Sequence, residues 1–455
     1  MDKMKVIAPL DPAFEPIYRG LQAFAARAAG GPRIRIALER NDGLVATHDM
    51  RILPQGEDDA LSLCMVERMV KSMLWVYGGF RVTIAGSRAV YEGVKEQYRK
   101  GGAREFDANF MAHVYEHDFE VCYAATPEEA PERRDASEPI GRHLDGCRIG
   151  FDAGGSDRKV SAVVNGESVY SEEVVWFPKT QSDPAYHFDG IVSAMKTAAS
   201  KMPRVDAIGV SSAGVYINNH TMNASLFLKV GPEDYEKYVK DIYIRAAKEI
   251  GDVPLTVCND GDVTALAGAM SLGEDGILGI AMGTSEAGGY VDMKGNITGW
   301  LNELAFVPCD LAPGAMVDEW SGDIGCGVKY FSQDAVIKLA PAAGIELDPA
   351  LSPAEKLKVV QARMNEGDAG ARAIYETIGV YLGYTLAFYA MFYDINHVLL
   401  MGRVTSGEGG DLVLGKAQEV LRAEYPELKM QVNLPDEKSR RVGQSVAAAS
   451  LPKIG

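Results

Sequence analysis

Two short stretches place a carboxylate at the end of an apolar run, next to small residues. In "RIGFDAGGSDRK", Asp152 closes a strand-like segment and is followed by Gly154, Gly155 and Ser156. In "VPLTVCNDGDVTALAGAM", Asn259 and Asp260 stand between a strand-like segment and a helical one. Bare backbone amides with a hydroxyl can hold phosphate oxygens, and a carboxylate beside them can hold Mg²⁺, directly or through water. Taken alone, the first stretch reads equally as a β-turn that needs positive φ. The second reads also as a helix N-cap, with Asp262 the stronger capping candidate. A second small-residue turn, Gly283-Thr284-Ser285 with Gly288-Gly289, offers another phosphate cradle. Two cradles flanking one strand-end carboxylate, Asp260, favour nucleotide chemistry over turn chemistry.

The elements needed to position these groups are legible as patterns. "IGFDAGGSDRKVSAVVNGESVYSEEV" reads strand, glycine turn, strand, Asn165-Gly166 turn, strand, and "ILGIAMGTSEAGGYVDMKGNITG" repeats that order. A duplicated strand–turn–strand unit implies two similar lobes, each presenting one glycine turn. Strands alternate with helical segments between and after the two turns, as in mixed α/β lobes. Upstream, "RIRIALERNDGLVATHDMRIL" alternates around Asn41-Asp42-Gly43 like a hairpin, and "DDALSLCMVERMVKSMLWVYGG" has helical spacing with Leu61, Met65, Met69 and Leu74 near one face. The stretch 125–146, rich in Pro, Glu and Arg, reads as a linker. The expected division is therefore an accessory α+β domain over 1–124, a linker over 125–146, one lobe over 147–270, and a second over 271–455 whose last helix returns to the first. The apolar helix of the accessory domain is more hydrophobic than one small domain needs. That argues for an interface role and a homo-oligomer, most simply a dimer.

From about Gly146 onward the order of these motifs resembles the ROK family of sugar kinases, within the hexokinase–actin–Hsp70 superfamily. "DAGGSDRK" is similar to the family's first phosphate loop, "VCNDGDVTALAGA" to the stretch carrying its catalytic aspartate, "MGTSEAGGYVDMKGNITG" to its second phosphate loop and "VLLMGRVTSG" to its adenosine loop. The resemblance spans about two-thirds of the chain. It implies two RNase H-like (actin/hexokinase-type) lobes around a cleft, preceded by the small α+β domain. It also implies ATP-dependent phosphorylation of a hydroxyl on a sugar or sugar derivative, with Asp260 as general base. Phosphate and nucleotide contacts fall on Asp152, Gly154, Gly155, Ser156, Lys159, Gly283, Thr284, Ser285, Gly402 and Arg403. Sugar contacts fall on Ser212, Gly214, Asn223, Asn259 and Glu303, with Ser211 in the same loop. Mg²⁺ falls on Asp152, directly or through water.

Departures from the family pattern limit what is carried over. Phe306 stands at the family's histidine, and Glu319 and Ser321 replace two of its zinc-binding cysteines. Cys326 alone cannot make a four-ligand zinc site, so no structural zinc is expected. Val328 stands where the family has a sugar-contacting glutamate, and Asp157 near its usual lysine, with Lys159 as the replacement.

Composition closes off other classes. The 455 residues carry a formal charge of −17, with 24% charged and 47% hydrophobic residues, which argues against nucleic-acid partners. Six cysteines, none in a CxxC pair, read as thiols of a reducing compartment, and no apolar run is long enough for a membrane span. A cytoplasmic location is expected. The rival reading is a non-catalytic sugar- or nucleotide-binding regulator on the same fold. Repressor relatives carry a helix-turn-helix first, whereas residues 1–124 read as strands within an acidic chain.

Overall fold

The structure, a computed structural model, describes residues 3–135, 140–434 and 437–454. Residues 136–139 of the expected linker lie outside the described residues.

The first 124 residues build a four-stranded sheet from β1 (Arg33–Glu39), β2 (Val45–Arg51), β3 (Arg81–Ala85) and β4 (Glu120–Ala124), in the order β2-β1-β3-β4. Ile34, Ile36 and Leu38 alternate along β1 and are buried, and the β1–β2 turn holds Asp42 and Gly43 at positive φ. The helices of this part are α1 (Ile17–Arg27), α2 (Asp59–Tyr77), α3 (Arg88–Tyr98) and α4 (Glu105–Tyr115). Asp58 caps α2 by accepting from the Leu61 amide at 3.1 Å, and Gly78 at φ 78° ends it.

From Met65 to Tyr77 helix α2 is buried on every side, where helical spacing predicts one buried face. The reason is that it lies between its own sheet and the second lobe, and a helix covered all round can be apolar all round. Its excess hydrophobicity is consumed within the chain.

The first lobe contains β5 (Cys147–Ala153), β6 (Asp157–Val164), β7 (Glu167–Val175), β8 (Ala207–Ser212) and β11 (Leu255–Asn259), ordered β11-β8-β5-β6-β7. β5, β6 and β7 form an antiparallel meander, while β8 and β11 run parallel to β5. This is an RNase H-like sheet. A small hairpin, β9 (Val215–Ile217) and β10 (His220–Asn223), projects after β8. The lobe's helices are α5 (Pro184–Ala199), the one-turn α6 (Pro232–Asp234), α7 (Ile242–Lys248) and α8 (Asp260–Leu272).

The second lobe repeats the hairpin with β12 (Ile277–Met282) and β13 (Glu286–Val291), followed by β14 (His397–Met401) and β15 (Gln431–Asn433), ordered β13-β12-β14-β15. Its helices are α9 (Gln333–Leu339), α10 (Pro353–Asn365), α11 (Ala369–Tyr389), α12 (Glu408–Glu424) and α13 (Glu437–Ala449). α13 lies against β5 and β8 of the first lobe. Gly150 and Gly209 permit this approach, since a Cβ on either would stand within 2 Å of the Ser445 or Ala448 carbonyl oxygen.

Residues 1–124 and the second lobe share one continuous apolar core. Phe14 packs edge-on against Tyr381 at 4.6 Å, and the Tyr384 hydroxyl, 3.0 Å from the Val6 carbonyl, donates to Glu424 at 2.6 Å. Beneath α2, buried Asp323 pairs with Arg68 at 2.8 Å, Lys71 at 3.0 Å and Arg104 at 2.9 Å. Each of these cations comes from the first 124 residues and the carboxylate from the second lobe. Among the described residues no helix is long and apolar enough to cross a membrane.

Candidate active site

Parallel strands end together, so the segments leaving β5, β8 and β11 meet at one edge, where open α/β sheets bind ligands. In register, Asp152 lies beside Ser211 and Ser212 beside Asn259. Ser211 Oγ donates to Asp152 Oδ1 at 2.9 Å. Asp152 Oδ2 has Lys159 Nζ at 3.9 Å, and Lys159 also pairs with Asp157 at 3.0 Å. Burial pushes the Asp152 carboxyl up to about 6, with Lys159 and Ser211 opposing and Asp260 adding to the rise.

The turn after Asp152 does not need positive φ at Gly154 or Gly155. It needs room: a Cβ on Gly154 would sit 2.7 Å from the Asp157 carbonyl oxygen, and one on Gly155 2.9 Å from Lys179 Cε. Trp176 fastens the turn, donating from Nε1 to the Gly154 carbonyl at 2.7 Å and from its amide to the Ser156 carbonyl at 3.1 Å. Ser156 Oγ donates to Asp157 at 3.0 Å.

Asp260 is the first residue of α8, and its neighbour does the capping. Asn259 Oδ1 accepts from the Gly261 amide at 2.7 Å, while its Nδ2 donates to the Gly214 carbonyl at 2.7 Å. Asp262, the expected cap, instead accepts from the Tyr290 amide at 3.0 Å and Asn302 Nδ2 at 2.9 Å. Asp260 heads the helix and is partly exposed. Burial raises it, and the Gly261 amide and the Lys179 ammonium oppose the rise. Glu303 is pushed up to about 7 by burial and by Asp260 and Asp262, so these carboxylates sense one another. Glu303 is set by α2: the Asn302 and Glu303 amides donate to the Val76 and Trp75 carbonyls at 3.0 and 2.9 Å. Trp75 also stacks on Phe306 at 4.2 Å.

In the second lobe, the β12–β13 turn carries Gly283, Thr284 and Ser285, closed by the Gly283 amide donating to the Ser285 carbonyl at 2.9 Å. β14 ends beside it, and Arg403 Nη2 donates to Thr284 Oγ1 at 2.8 Å. Gly402, at φ 97°, passes so close to β12 that a Cβ would stand 2.3 Å from the Met282 carbonyl oxygen.

Three of the residues expected at the sugar stand otherwise. Ser212 is fully buried and accepts the Tyr216 and Tyr243 hydroxyls at 2.7 and 2.8 Å, because strand alternation turns it away from the side where Ser211 meets Asp152. Asn259 acts through the helix cap and the Gly214 loop. Asn223 is exposed at the end of β10, its carbonyl oxygen packed against Gly214. Gly214, at φ 142°, shapes the loop that Asn259 holds.

Sequence reasoning missed Lys179. It sits on a short turn, Pro178–Thr180, whose Pro178 carbonyl is held 3.0 Å from His187 Nε2, and no pattern in the sequence links it to Gly155 or Asp260. The zinc-motif positions are occupied by other contacts. Ser321 donates to Asp318 at 2.6 Å, Glu319 pairs with Lys329, and Cys326 Sγ lies 3.9 Å from Asp323. Among the described residues no group of three or more His, Cys, Asp or Glu is arranged to hold a metal ion. Asp152 Oδ2, not taken by Ser211, fits the single-carboxylate role that Mg²⁺ accepts when phosphates complete its shell.

No family model and no curated protein matches the chain. Among solved structures, a ROK hexokinase from Thermus thermophilus matches 66% of this chain and 97% of its own, with 18% identity and a TM-score of 0.52. A ROK-family glucokinase from Streptomyces griseus, solved with glucose and AMPPNP, matches 68% and 100% with 20% identity and a TM-score of 0.49. The likeness is one of fold, that of actin/hexokinase-type lobes preceded here by an additional α+β part.

Proposed function

We propose that the chain is a ROK-type carbohydrate kinase, transferring the terminal phosphoryl group of ATP to a sugar hydroxyl. The observation that supports this most is that Asn259 caps α8, so that the Asp260 carboxylate at the head of the helix, with Lys179 near it, is not needed as the side-chain cap. The Gly154–Ser156 turn with Lys159, and the Gly283–Ser285 turn with Arg403, orient the phosphates from opposite lobes. Gly402 lets the adenosine side approach β12. Asp260 accepts the proton of the attacking hydroxyl, and Glu303 hydrogen-bonds the sugar, so that the oxygen attacks in line. Asp152 Oδ2 would hold Mg²⁺, which would neutralise charge on the phosphates. Approach of the two lobes would exclude water and limit wasteful hydrolysis. A screen of ADP release across hexoses, acylated amino sugars and polyols tests this. Release stimulated by one class supports the reading, and none with any class, despite tight sugar binding, favours a binding-only regulator.

A further inference from the structure

A cavity of about 750 Å³ opens between β2, the C-terminal end of α2 and the segment 290–300. Tyr77, Tyr290, Trp300 and Tyr393 line it and pack on one another, Tyr290 stacked on Trp300 at 5.6 Å, so a ring-shaped ligand meets a packed aromatic wall. Arg40 also lines it and is only 5% exposed. Its guanidinium makes one hydrogen bond, from Nη1 to the Gly299 carbonyl at 3.2 Å, and Nε has no partner. The buried guanidinium hydrogen-bonds no carboxylate and meets Asp135 only through space, an incomplete arrangement that an anion would complete. Three carboxylates also line the cavity, set against Arg133 and Lys294: Asp135 is held by Arg133 at 2.9 Å, Asp394 interacts with Arg133 through space, and Asp292 accepts the Lys294 and Asn296 amides.

The same walls support the site described above. Tyr393 donates to Asn302 Oδ1 at 2.9 Å, Asn302 donates to Asp262, and the Tyr290 amide donates to Asp262 as well. Asn302 is buried at φ 52°, a conformation that costs a non-glycine residue energy, and Glu303 comes directly after it. Arg40 grips Gly299, three residues before Asn302.

We infer that this cavity is a second ligand site, for a small ring-bearing anion such as an organic phosphate, and that its occupancy sets the position of Asn302 and Glu303. Its effect on sugar binding rests on the role proposed for Glu303; the ligand site does not. The test uses the full chain and phenyl phosphate, with inorganic phosphate beside it, read by calorimetric titration and by hydrogen exchange of the peptide over 299–306. Phenyl phosphate is expected to bind at least about tenfold more tightly than inorganic phosphate and to slow exchange there. Arg40→Gln should weaken binding by about tenfold or more, the worth of one charge-assisted hydrogen bond, and the cavity-filling Thr47→Trp should weaken it at least as much by occupying the ligand's space. If Arg40→Gln fails to fold, Thr47→Trp, which leaves every charge in place, carries the comparison. Absence of binding to the parent, equal affinity for inorganic phosphate, or unchanged binding in Thr47→Trp overturns the site. Binding without slower exchange over 299–306 overturns the coupling. None of these readings requires turnover, so they stand apart from any failure of the kinase assignment.

Discussion

Asn259 and Asp260 divide two tasks that a single residue could have combined, which makes each separable by substitution. Asn259→Ala removes a cap and the tie to Gly214, so it should cost about 1 kcal/mol of stability and raise the KM for sugar by displacing Asp260; thermal melts and initial rates check this. Glu286 offers a pH test. It is 3% exposed, its Oε2 lacks a partner, and burial pushes it up to about 8 from an ordinary 4.5. The folded state therefore keeps this proton where the unfolded state has lost it. The stability it contributes is full below about 4.5 and is lost as pH rises through about 8. Glu286→Gln should flatten the decline in melting temperature between about pH 4.5 and 8; a parent-like decline in the variant contradicts this. The raised Asp260 carboxyl likewise shifts the acidic limb of the rate profile above the usual aspartate range, since the base must be ionised to work.

At the level of elements, the feature that separates this chain from a bare two-lobed kinase fold is α2, whose last turn supplies the carbonyls holding Asn302 and Glu303. Trp75 is fully buried between Phe306 and Asp107, the latter accepting from Nε1 at 2.5 Å. Trp75→Ala should therefore cost about 3–5 kcal/mol and raise the KM for sugar more than it lowers kcat, because it loosens Glu303 and leaves Asp260 in place. Equal KM in a folded variant would detach α2 from the site. Much of this element-level plan was legible in the sequence: the duplicated glycine-turn hairpins, the strand before Asp260 and the hairpin at Asn41-Asp42-Gly43 all arise from local alternation and turn residues. The illegible part depends on contacts between distant segments. Ser211 and Ser212 differ only in which face of β8 they occupy, Lys179 reaches Gly155 through a turn with no regular period, and the cap at Asn259 rather than Asp262 is decided by what Tyr290 and Asn302 demand.

For the molecule as a whole, the continuous core between residues 1–124 and the second lobe makes the first part a structural requirement. A chain lacking residues 1–124 would expose the faces of α11 around Tyr381 and Tyr384 and leave Asp323 buried without its three cations, so it should be recovered aggregated or unfolded. A shortened chain that is monodisperse and fully active contradicts this. Phosphoryl transfer in the cleft between the two lobes is the central claim, and ADP release by the full chain and by Asp260→Asn, on the best sugar found, tests it most directly. Asparagine keeps the shape of the side chain and leaves the Asn259 cap untouched, yet accepts no proton. Turnover is expected to fall by at least about 10²-fold, with sugar and ATP binding and the melting temperature held near the parent values. An Asp260→Asn protein that melts normally and phosphorylates the sugar at the parent rate would contradict the claim.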